Sequence, residues 1–171
     1  MNVFYLHHCA AVAAGMHCDK HVGKMLIESA QMLATAHHHF GNGDHVSYKP
    51  THKNHPSNVW VRSSRLHYDY VVELALALGR QFYVRYGKRH KTHLIVVEQL
   101  MKAPPAMLAM PLVWQDPPLA MPDEYKSPNT IDSYRRFYAS KIERMPMVYF
   151  KGTTPPPYWL SDIWATSLKA A

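Results

Sequence analysis

His21, Lys24 and Glu28 stand three and four residues apart within residues 18–31. On a helix that spacing puts them on one face, with Lys20 one turn from Lys24. One carboxylate is thereby set among two lysines and an imidazole. A carboxylate beside cations stays ionised at neutral pH. It can stabilise a developing sugar cation or move a proton during an imine reaction, while the lysines hold phosphates. The same pattern also describes a solvated helix face with ordinary ion pairs. Both readings stand at this point.

A second group combines cations and rings: Arg62, Arg65, Tyr68, Arg85, Lys88, Arg89 and Lys91, then Tyr149, Phe150 and Lys151. Cations neutralise phosphates and aromatic faces stack on exposed bases. Residues 85–91 are the densest basic run. A third group is histidine-rich: His7, His8, His17, His21, His37, His38 and His39, with Cys9 and Cys18 close by. Its spacings fit no zinc pattern, so no metal and no cofactor are expected. His55, between Asn54 and Pro56, either meets a phosphate or caps the next helix. The chain holds no Gly-rich phosphate loop, no nucleophilic serine elbow and no paired-cysteine zinc motif.

The elements that must position these residues are helical. Val22, Met25, Leu26, Ser29, Ala30 and Leu33 make the core stripe of a first helix over about 19–39, which Asp19 caps or favours at its positive end. Residues 2–6 are apolar enough to be packed into the body, and residues 7–18 read as a connector. A second helical region carries Trp60, Arg62, Arg65 and Tyr68 first, then Val71, Leu74, Ala75, Leu78 and Phe82, and ends at Gly87. A third helix is expected over about 91–102 and a fourth over about 130–144, capped by Asn129 or Thr130. Residues 103–129 hold seven of the 13 prolines. They read as an ordered wrap or lid, because Met107, Leu108, Met110, Leu112, Val113 and Trp114 call for burial. Residues 153–171 form a C-terminal extension with a short helix near 159–169. The expectation is one all-α domain of about four main helices.

The formal net charge is +7 over 171 residues, and 13 histidines add to it in mild acid. That balance favours a polyanion, and nucleic acid before a membrane surface. No apolar run approaches transmembrane length. Residues 9–16 imitate a signal core, but they are short and no Lys or Arg precedes them. A cytoplasmic monomer with two unpaired thiols is expected.

Three ordered patches carry a family resemblance. Asp19, His21 and Glu28 follow an Asp-x-His pattern with a glutamate seven residues on. Asn54-His55 precedes aromatics at the start of the central helix. Lys141-Ile142-Glu143-Arg144-Met145-Pro146 leads into Val148-Tyr149-Phe150-Lys151-Gly152. In this order they resemble the pyrimidine-dimer DNA glycosylase/AP lyase family (the T4 endonuclease V type), and more closely still phage proteins placed near it. The resemblance implies an all-helical fold whose N-terminus threads between helices beside the first-helix glutamate. It implies an amine nucleophile, from the first mature residue, that attacks C1′ of a damaged nucleotide. Glu28 would stabilise the sugar cation and assist proton transfers. His21 and Lys24 would hold phosphates, and Tyr149, Phe150 and Lys151 would contact duplex DNA, in the host cytoplasm if the chain is phage-encoded.

One departure from the family concerns the nucleophile. The family presents a small second residue after Met removal, whereas here the second residue is Asn2, before which Met is usually retained. The arginine beside the family nucleophile is replaced by Val3. The amine of Met1, that of Asn2, and Lys20 or Lys24 all stay open as nucleophiles, as does a glycosylase without a lyase step. Two alternatives to a glycosylase also stay open: a phage enzyme that modifies DNA bases, and a non-enzymatic DNA-binding accessory protein.

Overall fold

Two long helices carry the fold of the computed structural model, which describes residues 1–169. One is α2 (Asp19–His39), which follows a six-residue α1 (Ala10–Gly15). The other is α4 (Arg65–Tyr86), which lies along α2. The stripe read from the sequence is the stripe that packs: Val22, Met25, Leu26, Ser29, Ala30 and Leu33 are all fully buried. From Met32 to His37 burial extends around the whole of α2, so this helix runs through the interior. At the end of α4, Gly87 takes φ +68° and returns its N–H to the Tyr83 carbonyl, the glycine stop expected there.

The second helical region is divided between two helices. A short α3 (Pro56–Val61) ends at Arg62, and α4 starts afresh after Ser64, whose Oγ accepts the Leu66 N–H. Helix α1 falls within what the sequence presents as a connector. Its run of Ala, Val and Gly has no amphipathic period to read. Ala10, Ala13 and Ala14 are nevertheless buried, and their small side chains let α1 lie close against α4. After α5 (Lys91–Ile95) the chain widens into a π turn over Val96–Leu100 and stops short of the expected α-helix to 102. α6 (Thr130–Ala139) is capped by Asn129, whose Oδ1 accepts the Asp132 N–H, and tightens into a 3₁₀ turn over Ser140–Glu143. α7 (Tyr158–Lys169) docks on α6 through buried Trp159 and Leu160. There is no strand among the described residues, and none of their helices is long and apolar enough to cross a membrane. The buried apolar side chains of these elements form one core.

The N-terminal segment threads through this bundle. Val3, Phe4, Tyr5 and Leu6 are buried. The Phe4 ring stacks between His21 of α2 and Phe137 of α6, at centroid distances of 5.6 and 5.8 Å. Tyr5 meets Tyr70 of α4 edge-on, and Arg135 of α6 donates to the Leu6 carbonyl. Phe4 sits at φ +44°, a conformation that L residues hold only when their surroundings over-determine it. The two-sided ring stack and the Phe4 N–H bond to Asn2 Oδ1 supply that restraint.

The proline-rich stretch 103–129 is an ordered wrap, held by backbone acceptors. The Gln115 carbonyl accepts from Trp60 Nε1, the Pro118 carbonyl from the Tyr134 hydroxyl, and the Ala120 carbonyl from Asn2 Nδ2. The burial expected of its apolar residues is met by only some of them. Met107 and Met121 are buried, Met110, Leu119 and Tyr125 pack half-buried on the core, and the Trp114 ring meets Tyr5, Trp60, His67 and Tyr70, whereas Leu108, Leu112 and Val113 are exposed. Polar bonds and the packed Trp114 ring together hold this segment in place, and Leu108, Leu112 and Val113 face outward.

Candidate active site

Glu28 gathers the start of the chain. Its Oε2 accepts the Asn2 backbone N–H at 2.9 Å and lies 3.8 Å from the Met1 amino nitrogen. Its Oε1 lies 3.8 Å from Lys24 Nζ, one helical turn earlier. The Met1 side chain is only 2% exposed although the residue as a whole is half-buried. What Met1 presents to solvent is therefore its amino end. A carboxylate, a primary amine and a lysine thus meet at a partly open point, with the carboxylate at the inner side.

Three elements make this meeting possible. α2 supplies Glu28 and Lys24 on one face. The stacked Phe4 fixes the path of the first residues. The loop before α3 closes the far side: Thr51 exchanges hydrogen bonds with Thr35 of α2, two turns beyond Glu28. Within that loop His55 caps α3, its Nδ1 accepting the Ser57 N–H, so the cap is the alternative realised. His55 is held below the ordinary histidine range by burial and by the positive amino end beside it, partly offset by Glu28. It therefore stays neutral at pH 7, with its proton on Nε2.

His21 is brought near but takes another role from the one the resemblance implied. It is buried against Phe4 and Tyr138, and burial pushes its pKa down to about 3. A neutral, enclosed ring cannot hold a phosphate; His21 is the seat on which Phe4 stacks. Lys141, in the 3₁₀ turn that follows α6, comes near His21. Lys141 and Lys24 are close enough to depress the His21 pKa together. Lys141 is itself lowered by burial, Arg144 and Lys24, and its ammonium lies 3.4 Å above the Phe137 ring centre. Lys24 thus stands beside Glu28, and Lys141 lies near enough to Lys24 for the two like charges to act on each other.

The remaining predicted DNA contacts divide. Lys20, Lys88, Arg89 and Lys151 are exposed and free to meet phosphate. Arg62 donates to the Lys53 carbonyl, on the His55 side of the amine. Arg65 pairs with Asp69 and lines a cavity of about 650 Å³ with His37, His45 and Lys102, at the other end of α2 from Asp19. Arg85 is removed from the set: its guanidinium is fully buried against Asp19 and the carbonyls of His17 and Gly15. Tyr149 is also buried, donating to the Met16 carbonyl, and the Phe150 ring lies under Arg85 at 4.5 Å. Asp19 takes no part in capping its own helix. Its carboxylate accepts the N–H groups of Phe150 and Lys151, so it fastens the tail loop to the start of α2. Cys9 is exposed and Cys18 buried, and among the described residues no three His, Cys, Asp or Glu side chains are grouped as for a metal ion.

The buried histidines make stability depend on pH. Burial lowers His17 to about 4 and His21 to about 3, and lowers His37, His67, His90 and His93 in the same direction. Unfolded histidines titrate near 6.5, so below that pH the unfolded chain binds more protons than the folded one. Stability is complete above about pH 6.5 and falls as the pH drops toward 4. Between pH 7.5 and 5.0 His17 alone removes about 2 kcal/mol. Denaturant midpoints at the two pH values should show the loss, and His21→Phe should reduce it. Equal midpoints at both pH values would refute the burial of these rings as neutral species.

Compared with protein-family models, with curated proteins and with solved structures, the chain matches none.

Proposed function

We propose that this protein is a DNA glycosylase with AP-lyase activity, acting on damaged or modified pyrimidines in duplex DNA through an N-terminal amine and Glu28. The observation that carries the reading is the amino nitrogen of Met1 at 3.8 Å from the Glu28 carboxylate, at a partly open point flanked by Lys24. An amine and a carboxylate so placed suit imine chemistry on a sugar carbon. The neutral amine adds to C1′ as the base departs with the glycosidic electron pair and takes up a proton. The C1′–O4′ bond then breaks, O4′ takes a proton, and the nitrogen forms an iminium with C1′. Loss of a proton from C2′ expels the 3′-phosphate with its C–O electron pair. Glu28 carries protons between these positions and balances the developing cation. Lys24, with Lys141 near it, holds the flanking phosphates, and neutral His55 offers its Nε2 proton on the opposite side.

The test is borohydride reduction during incubation with duplex DNA that holds an abasic site or a pyrimidine dimer. A covalent protein–DNA adduct is expected. It should be lost when Gly-Ser is placed ahead of Met1, because the amine then becomes an amide. Absence of trapping and of base release on every damaged duplex would sink the reading. A new nucleoside in DNA from expressing cells would favour a base-modifying enzyme instead. Salt-sensitive DNA binding with no turnover would favour an accessory protein.

A further inference from the structure

The side chain of Met1 is seated in a prepared site on α3. Its sulfur lies 3.1 Å from Asn58 Nδ2, and Asn58 is itself 1% exposed. The amide is locked: Nδ2 also donates to the carbonyls of Thr51 and His52, each at 2.9 Å. With its donor end held by two carbonyls, the amide has one orientation, and Oδ1 is left buried without a hydrogen-bond partner. A thioether is polarisable and accepts weakly, so it packs on the amide nitrogen where a charged or strongly polar group would be poorly served. Asn58 lies one helical turn after the cap His55, in the segment that closes the far side of the amine.

The residues that follow are clamped as well. Glu28 holds the Asn2 N–H, the Ala120 carbonyl holds Asn2 Nδ2, and Asn2 Oδ1 holds the Phe4 N–H. The Met1 side chain is therefore the outermost of several anchors, and the one next to the amino nitrogen. Were Met1 absent, the seat would be empty, and the nitrogen now bonded to Glu28 as an amide would have to serve as the nucleophile.

We infer that Asn58 is a positioning residue that seats the side chain of a retained Met1, and that the nucleophile is the Met1 α-amine aimed at Glu28 by this seat. This rests on the imine chemistry proposed above.

The experiment uses the full chain, a duplex carrying one abasic site, and borohydride. Peptide mass analysis of the adduct locates the bond, and trapping rates at saturating DNA are compared for wild type and Asn58→Leu. The adduct should lie on the α-amine of Met1. Asn58→Leu should trap about 10- to 100-fold more slowly at saturating DNA. Its half-saturating DNA concentration should stay within about twofold of wild type, a split that general loosening of the fold would not produce. The location of the wild-type adduct tests the inference even if Asn58→Leu fails to fold. An adduct on Asn2 of a chain lacking Met1, or on Lys20 or Lys24, overturns the inference and leaves the imine reading standing. Equal saturated rates for wild type and Asn58→Leu also overturn it. Failure of wild type to trap at all overturns both.

Discussion

Glu28→Gln should lower the rate of borohydride trapping by at least about 100-fold, with the fold unchanged. The size follows from the role: a positioned general acid/base contributes about 10²–10⁴-fold. The amide retains an oxygen that can accept the Asn2 N–H now bonded to Oε2 at 2.9 Å, so the path of the chain start survives the change. It has no negative charge for the developing cation and no proton to shuttle. Since Lys24 and the amine each lie 3.8 Å from a carboxylate oxygen, the neutral variant loses two weak ion pairs, a small effect on stability at a partly open site. Circular dichroism and the denaturant midpoint should therefore match wild type while trapping collapses. A variant that traps at the wild-type rate would remove Glu28 from the chemistry. One that binds DNA normally without turnover in either form would point to an accessory protein.

Asp19→Ala should destabilise the fold by about 3–5 kcal/mol, the cost of leaving a buried charge without its partner. The Arg85 guanidinium is fully buried, with its Nη1 at 3.1 Å from Asp19 Oδ1. Carbonyls of His17 and Gly15 and the Gln81 amide remain to it, which satisfy donors but supply no charge. The same carboxylate accepts the N–H groups of Phe150 and Lys151 at 2.9 and 2.7 Å. Losing it frees the 148–152 loop, where Phe150 and Lys151 hold positive φ. The double variant Asp19→Ala with Arg85→Leu should recover part of the loss, since no buried charge is then unpaired. Equilibrium unfolding of the three proteins checks this. A cost below about 1 kcal/mol for Asp19→Ala would show that the buried cation is served by its carbonyls alone.

Asp19 lies in the first turn of α2, where its spacing puts it, but the partners of its carboxylate are not legible from local spacing as the neighbours of Glu28 are. Both lie on the first helix in the pattern that carries the resemblance, and local spacing assigns Asp19 to its own helix end. In the fold its partners come from residues 85, 150 and 151, more than 60 positions away. His21 was misplaced for a related reason. A helical wheel puts it on the face of Lys24 and Glu28, but the threaded Phe4 covers that part of the face. A chain segment that crosses a helix can bury residues whose own periodicity reads as exposed.

Periodic and local features were set by the sequence alone. The core stripe of α2, the glycine stop after α4, the Asn129 cap and the burial of residues 3–6 each depend on neighbours within a few residues or on apolar content. The all-helical class follows from them. Only the tertiary structure decided which charges meet. It placed the Met1 amine and Glu28 together across 27 residues, and withdrew Arg85 and Tyr149 into the interior. It also set the Met1 side chain on Asn58, a residue with no signature of its own beyond standing one turn after a cap. Hydrophobic period is written along a helix and survives without partners, whereas an electrostatic site exists only where distant segments are brought within a few ångströms.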